Sequence, residues 1–166
     1  MDELQIIKAD TDAQLKTVSE LAEKIWHQHF TPIIGTDQVN YMVDKFQSCR
    51  AISGQVKDNG YEYYLFHYNG ADVGYLGVKA ENGALFLSKI YLEQSFRGRK
   101  IASRAIRFLM DRCEREGLSK IWLTVNRENL NTIAAYETMG FVKVREQKAD
   151  IGNGFYMDDY IMEKTI

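Results

Sequence analysis

A chain of 166 residues is long enough for one domain with its own core and too short for two domains of ordinary size. Hydrophobic residues make up 45% and charged residues 27%, a composition that excludes a disordered tail or a fibre. Lys and Arg number 21 against 23 Asp and Glu, so the net charge of -2 gives no global basic field for nucleic acid. We therefore expect one globular domain over 1–166 with no nucleic-acid partner.

The start of the chain and its cysteines bear on location. Met1, Asp2 and Glu3 form an acidic start, unlike the basic and apolar start of a signal peptide. Cys49 and Cys113 are far apart, and we expect both to be buried, reduced thiols that belong to no metal cluster. No apolar run approaches the ~20 residues that a membrane span requires. These features favour a cytoplasmic protein without a metal or a membrane partner.

Hydrophobic periodicity predicts a helical first third. In chain order it indicates a strand over 4–8, a helix from 12 to about 30, a second helix over 37–47 and a short helix over 50–56. Thr11 or Asp12 can cap the first helix, and Pro32 is expected to end it.

Strands and tight turns dominate from residue 61 onward. Two Asn-Gly pairs, at 69–70 and 82–83, predict hairpin turns because both central residues of the favoured turn need a positive φ. The predicted elements are strands over 61–68, 71–80 and 84–92, a helix over 99–116, a strand over 120–125, a helix over 130–139, and strands over 141–149 and 154–164. This order predicts a mixed α/β sheet, mostly antiparallel, with helices on both faces.

The turn at 97–102 carries the chemistry that is easiest to read. It joins a strand to a helix, and a helix N-terminus offers unpaired N–H groups and a positive dipole end to an anion. Gly98 lets the backbone approach a phosphate, and Arg97, Arg99 and Lys100 add positive charge. The turn is neither a P-loop nor the dinucleotide fingerprint. On local chemistry alone, an ordinary turn with solvated basic residues fits equally well.

Two motifs resemble the GNAT N-acetyltransferase superfamily. The run Arg97-Gly-Arg-Lys-Ile-Ala102 is similar to the loop with which that superfamily binds the acyl-CoA pyrophosphate. Downstream, Asn126, Asn129 and Tyr136-Glu followed by Gly140-Phe resemble its signature on the next strand and helix. The resemblance implies the GNAT fold, in which a mixed, mostly antiparallel sheet is flanked by helices. It also implies acetyl-CoA as the cosubstrate.

One position departs from that pattern. The superfamily usually has glycine where this chain has Lys100. A lysine is costly if the position needs a positive φ, and it is harmless if only a free N–H is needed there. We prefer the second interpretation, in which the lysine side chain reaches a phosphate.

The resemblance also implies roles for individual residues in a direct acetyl transfer to a primary amine. Residues expected to bind the cosubstrate are Ile90, Tyr91, Leu92, Arg97, Gly98, Arg99, Lys100, Ile101, Ala102, Asn129 and Tyr136. Tyr136 occupies the superfamily's position for the acid that protonates the departing thiolate. Glu93 is a candidate base, although a solvated carboxylate at a strand end is the more ordinary interpretation. Asn129 contacts the pantetheine, caps the helix that it precedes, or does both.

A finer resemblance bears on the acceptor. The tail over 151–164, with Tyr41-Met42, is similar to bacterial spermidine/spermine acetyltransferases of the PaiA type, which implies a polyamine. Asp158 and Asp159 alternate across the last strand, so only one can face the cleft. Alternatives are an N-terminal or lysine amine of a protein, or a CoA-binding module without turnover. A homodimer is an option that the sequence leaves open.

The remaining candidates have ordinary structural explanations. His27 and His29 are two apart on a helix and point to different faces, so we interpret them as structural residues. The aromatic strand over 61–68 has no interleaved basic residue and is interpreted as core and sheet surface.

Overall fold

A computed structural model describes residues 3–166 of the chain. The first two residues of the predicted 1–166 domain, and with them most of its acidic start, lie outside the described residues. The elements are β1 (Leu4–Lys8), α1 (Asp12–Ile34), α2 (Thr36–Met42), a π-helical turn (Val43–Gln47), α3 (Cys49–Asp58), β2 (Glu62–Tyr68), β3 (Ala71–Glu81), β4 (Ala84–Leu92), a 3₁₀ turn (Gln94–Phe96), α4 (Ile101–Glu116), β5 (Lys120–Asn126), α5 (Leu130–Thr138), β6 (Val142–Gly152) and β7 (Phe155–Thr165).

All seven strands belong to one sheet in the order β1-β2-β3-β4-β5-β7-β6. Strands β4 and β5 are parallel, and every other neighbouring pair is antiparallel. The sheet, with helices on both faces, confirms the predicted mixed α/β architecture. None of the helices between residues 3 and 166 is both long and apolar enough to cross a bilayer.

The centre of the sheet opens like a wedge. Strands β4 and β5 pair only at their beginnings, where Leu85 faces Ile121 and Phe86 faces Trp122. Beyond these pairs β4 stays bonded to β3 as far as Leu92, and β5 stays bonded to β7 as far as Asn126. The carboxyl ends of two adjacent strands therefore diverge, and their facing backbone edges do not pair with each other.

The sheet separates two hydrophobic clusters. One cluster joins α4 and α5 to the sheet, with Ile106, Leu109 and Ile133 among its buried side chains. The other joins α1, α2 and α3 to the opposite face through residues such as Ile25 and Ile52. The wedge lies between these layers, so both helical layers can contribute walls to it.

Helix α1 corrects the prediction that Pro32 ends it. The helix starts with a capping box in which Thr11 and Gln14 bond reciprocally, and it continues through Pro32 to Ile34. The N–H of Gly35 closes the helix on the carbonyl of Thr31, with a φ of 86° that suits glycine. Proline so close to the end removes only one helical hydrogen bond, so the glycine, and not the proline, sets the boundary.

The cysteine prediction is half wrong. Cys113 is buried, as expected, but Cys49 is exposed at the start of α3. Its exposure follows from its place in the first turn of a helix that buries Ile52.

Candidate active site

A β-bulge in β4 directs the side chains of Lys89 and Tyr91 into the wedge. Gly77 of β3 pairs with Lys89 and Val78 pairs with Leu87, so Ser88 is the extra residue on β4. Before the bulge, Leu87 packs into the cluster under α4; after it, Lys89 and Tyr91 line the cavity on the other face. In a regular strand Leu87 and Lys89 would share a face, so the bulge moves the lysine from the core to the cavity.

The wedge contains a cavity of about 270 Å³. Its walls come from the end of β4, the end of β5, helices α1, α2 and α5, and β7. Most of the lining is aromatic or aliphatic. The lining includes Trp26, Phe30, Met42, Phe46, Tyr61, Phe86, Ser88, Lys89, Tyr91, Thr124, Asn126, Asn129, Tyr136, Met157 and Asp159. A small apolar cavity with few polar groups is typical of a site for a small ligand.

Tyr136 of α5 faces this cavity with its hydroxyl free. Its ring packs on Phe141 with centroids 5.5 Å apart, and the residue is 8% exposed. Within residues 3–166 the hydroxyl has no hydrogen-bond partner. Burial raises the pKa of Tyr136 well above its usual value, so the phenol stays protonated at neutral pH. The position can therefore donate a proton or a hydrogen bond to whatever occupies the cavity.

Asp159 has the only carboxylate among the described residues that line this cavity. The residue is 5% exposed, and burial, with the nearby charge of Asp158, raises its pKa from 3.8 to about 6. The neighbouring Asp158 instead binds Arg127 at 2.9 Å on the other side of the strand. The structure thus shows that Asp159, and not Asp158, faces the cleft. Such a carboxylate can hold an ammonium group or accept its proton.

Lys89 faces the same cavity from β4. Its Nζ contacts Oγ of Ser88 at 2.6 Å and lies 5.7 Å from the centre of the Tyr61 ring. Burial lowers its pKa from 10.5 to about 8. Sequence reasoning missed this residue because a lysine near a strand end is ordinarily a surface residue. Only the bulge at Ser88, which local sequence does not reveal, directs it into the cavity.

His29 and Asn129 meet at the edge of the cavity. Nδ2 of Asn129 lies 2.8 Å from Nε2 of His29, and Asn129 makes no capping hydrogen bond with its side chain. Asn129 thus occupies the N-cap position of α5, but of the alternatives for its side chain the structure does not show a capping bond. Burial, with the charge of Arg97, lowers the pKa of His29 to about 4, so the ring is neutral and can accept this bond. The histidine therefore contacts a residue of the candidate site, and its structural role remains a prediction.

Glu93 lies outside the described lining of the cavity. It follows β4 and forms an ion pair with Lys24 at 3.2 Å, while its backbone N–H donates to the carbonyl of Val73. The candidate base is therefore a paired carboxylate whose side chain is only 17% exposed, rather than the solvated carboxylate of the ordinary interpretation.

The loop before α4 presents free N–H groups. Gly98 has a φ of 80°, and in the described backbone no N–H from Gly98 to Ser103 donates to a carbonyl or a side chain. Arg97, Arg99 and Lys100 are exposed around it. Free donors, a helix N-terminus and three cations together fit a pyrophosphate.

Lys100 corrects our preference for the harmless interpretation. Its φ of 62° and ψ of 20° are left-handed, so the position does need a positive φ. The lysine therefore stands where glycine would be less strained, at a cost of roughly 1–2 kcal/mol. The chain keeps the loop conformation and adds a cation at the helix start.

The basic segment over 97–115 is less available than its composition indicates. It contains seven basic and two acidic residues. Arg112 is buried, however, and its guanidinium binds Glu62 at 2.7 Å and Glu116 at 2.6 Å. Within the described part of the chain, only Arg112 of the seven basic residues is paired in this way, and Arg97, Arg99 and Lys100 are exposed at the start of α4.

The described residues also bear on metals. Between residues 3 and 166 no group of three or more His, Cys, Asp or Glu side chains could hold a metal ion.

Comparison with known proteins places these features in a family. The model of the Acetyltransferase (GNAT) family matches residues 20–141. Among solved structures, a PaiA N-acetyltransferase from Thermoplasma acidophilum in complex with coenzyme A superposes with a TM-score of 0.78 at 18% identity, covering 100% of this chain and 99% of that one.

Two further structures with the same fold differ in their named acceptors. The ribosomal-protein-S18-alanine N-acetyltransferase from Escherichia coli has a TM-score of 0.72 at 17% identity, with coverage of 100% and 94%. A chimera of the spermidine N-acetyltransferase SpeG from Vibrio cholerae and hSSAT has a TM-score of 0.68 at 18% identity, with coverage of 99% and 95%. At these identities the likeness shows the fold.

Proposed function

Because the chain belongs to the Acetyltransferase (GNAT) family and is an acetyl-CoA-dependent N-acetyltransferase, we propose that the wedge cavity transfers the acetyl group directly to a primary amine. The observation that carries this proposal is that Tyr136 and Asp159 line the same, mostly apolar cavity. One is a protonated phenol and the other a carboxylate, so the cavity contains a proton donor and a proton acceptor.

The cosubstrate would lie along the opened edge of β4. The loop over 97–101 offers its free N–H groups and cations to the pyrophosphate, with Ile101 and Ala102 starting the helix behind it. The backbone of Ile90, Tyr91 and Leu92 borders the wedge on the side that β5 leaves unpaired. A free N–H there can stabilise negative charge on the thioester oxygen. Asn129 and Tyr136 reach the wedge from the side of α5.

The residues then divide the proton transfers between them. Asp159 takes a proton from the bound ammonium, which leaves a neutral amine to attack the carbonyl carbon. As the new C–N bond forms and the C–S bond breaks, Tyr136 donates its hydroxyl proton to the departing sulfur. We assign the base role to Asp159 and not to Glu93, since Glu93 is paired with Lys24 away from the cavity lining.

The fold neighbours do not select the acceptor. One is named for spermidine and another for an alanine of a ribosomal protein, at identities of 18% and 17%. The polyamine implied by the tail remains a prediction, supported by one carboxylate in the cavity. The cytoplasmic location likewise remains a prediction, and the homodimer remains an option.

A thiol-release assay with acetyl-CoA and a panel of primary amines tests the proposed reaction. We expect release that depends on the amine, that rises as pH increases through about 6, and that Asp159→Asn abolishes. Glu93→Gln is the matched control and should retain most of the activity. Full activity of Asp159→Asn would overturn the assignment of the base, and amine-independent release would overturn direct transfer.

A further inference from the structure

Two side chains of opposite charge face the cavity, and no other charged group satisfies either one. Asp159 stands on β7 and Lys89 on β4. Over residues 3–166 neither side chain takes part in a salt bridge. The rest of the lining is uncharged, so these two groups set the charge pattern that a ligand would meet.

We propose that the acceptor is a small amine that also carries a carboxylate, with its ammonium bound by Asp159 and its carboxylate by Lys89. This assignment rests on the proposed acetyl transfer and narrows its acceptor to the class of zwitterionic amino acids. It departs from the polyamine prediction, because a polyamine has no anion to offer Lys89.

The placement of Lys89 is built into the sheet. The bulge at Ser88 directs the Lys89 side chain away from the core and into the cavity. The residue paired with Lys89 on β3 is Gly77, and a larger residue would not fit there, because a Cβ would lie 2.9 Å from the Tyr63 ring. A partly buried ammonium without an anion is costly, since the Ser88 hydroxyl and the Tyr61 ring replace only part of the water that burial removes. Its lowered pKa of about 8 records that cost. A bound carboxylate would offset this cost of burying the ammonium.

The space beyond Lys89 supports the same class of ligand. Phe46, Tyr61 and Lys89 line both this cavity and a more open, polar one of about 760 Å³. The outer cavity is lined by Asp44 and Asp58 and by the basic residues Lys45, Arg50 and Lys89. It therefore has no excess of carboxylates to receive the remaining ammonium groups of a polycation.

Matched acceptors isolate the carboxylate. Each pair consists of an amino acid and the amine that its decarboxylation would give: lysine and cadaverine, phenylalanine and phenethylamine, tyrosine and tyramine, with spermidine added. In the preferred pair we expect kcat/KM for the amino acid to be at least about tenfold higher than for the corresponding amine. One charge-assisted hydrogen bond is enough to give a difference of this size. In Lys89→Met the ratio should fall to about one, through a higher KM for the amino acid.

Lys79→Met is the matched control. Its Nζ lies 5.4 Å from the same Tyr61 ring, but it is paired with Glu81 and lines neither cavity. The variant should keep the selectivity of the wild type. A role of Lys89 in binding acetyl-CoA alone would change both members of a pair equally and leave their ratio unaltered.

Two outcomes overturn the acceptor assignment: a wild-type preference for spermidine or the decarboxylated amines, or a ratio that Lys89→Met does not change. Failure of the proposed reaction is a different result, namely no thiol release with any amine. In that case calorimetry of the same pairs on the CoA complex decides. Tighter binding of the carboxylate in wild type than in Lys89→Met supports the assignment, and equal or absent binding overturns it.

Discussion

Nδ2 of Asn129 lies 2.8 Å from Nε2 of His29, and this contact joins residues 100 positions apart in the chain. It links α1, which belongs to one helical layer, to the residue before α5, which belongs to the other. The bond crosses the edge of the wedge, where the facing strands are not paired.

We expect the two residues to be energetically coupled. His29→Ala and Asn129→Ala should each lower the free energy of unfolding by about 1 kcal/mol, and the double variant should cost little more than either single one. Chemical denaturation of the four proteins measures the coupling. Strict additivity of the two substitutions would show that the contact contributes nothing to stability.

Tyr136→Phe removes only the hydroxyl that faces the cavity. Because the ring still packs on Phe141, we expect unchanged thermal stability and nearly unchanged affinity for CoA. Turnover should fall by about 10²–10⁴, the usual contribution of a general acid. Steady-state kinetics and calorimetry with CoA check the prediction. Retained turnover would move the acid role to another group.

Lys100→Gly should stabilise the protein, because glycine adopts the left-handed conformation without a Cβ penalty. We expect a gain of about 1 kcal/mol in the free energy of unfolding, together with weaker binding of CoA owing to the lost cation. Lys100→Ala separates the effects: it removes the charge and keeps the strain, so it should weaken binding without stabilising the fold. Equal stability of the two variants would contradict the strain argument.

Asp159 and His29 should shift stability with pH in opposite directions. The pKa of Asp159 rises from 3.8 to about 6 on folding, so its contribution to stability falls as pH increases between these values. The pKa of His29 falls from 6.5 to about 4, so its contribution increases over nearly the same range. In the wild type the two effects offset each other.

The Asp159→Asn variant removes the contribution of Asp159 and leaves that of His29. At pH 7.5 the variant should be more stable than wild type by about 2 kcal/mol, since each pKa unit is worth about 1.4 kcal/mol and solvent screens part of it. It should lose this advantage below pH 4, where the wild-type carboxyl is neutral. Between pH 6.5 and 4 the variant alone should lose stability steadily on acidification. Thermal melts across pH test both statements, and parallel profiles for the two proteins would refute them.

Periodicity and turn chemistry predict most of the fold. The Asn-Gly turns fix the hairpins around 69–70 and 82–83, where the structure has positive φ at both asparagines. The loop before α4 and Tyr136 were predicted from motif residues that are close together in the chain. By contrast, nothing local predicts the bulge at Ser88, because it depends on how β3 and β4 register against each other.

The part of the cavity that we propose for the acceptor is hardest to predict from sequence. Its walls come from distant segments, such as Trp26 on α1 and Met157 on β7, whose apolar side chains look like ordinary core residues. Similarly, the choice between Asp158 and Asp159 needs the face of β7 that packs on the wedge. The sequence shows that the two residues point to opposite faces of β7, but only the tertiary structure shows which face lines the wedge.

The separation of the hydrophobic core into two clusters has a consequence for how such an enzyme can diversify. The loop that would hold the cosubstrate begins α4 in one cluster, whereas Trp26, Phe30 and Met42 of the acceptor wall are buried in the other. Substitutions in the second cluster can reshape the acceptor pocket while the packing beneath the cosubstrate loop stays unaltered. Substitutions in one helical layer can thus change the acceptor, while the other layer continues to bind the acetyl donor.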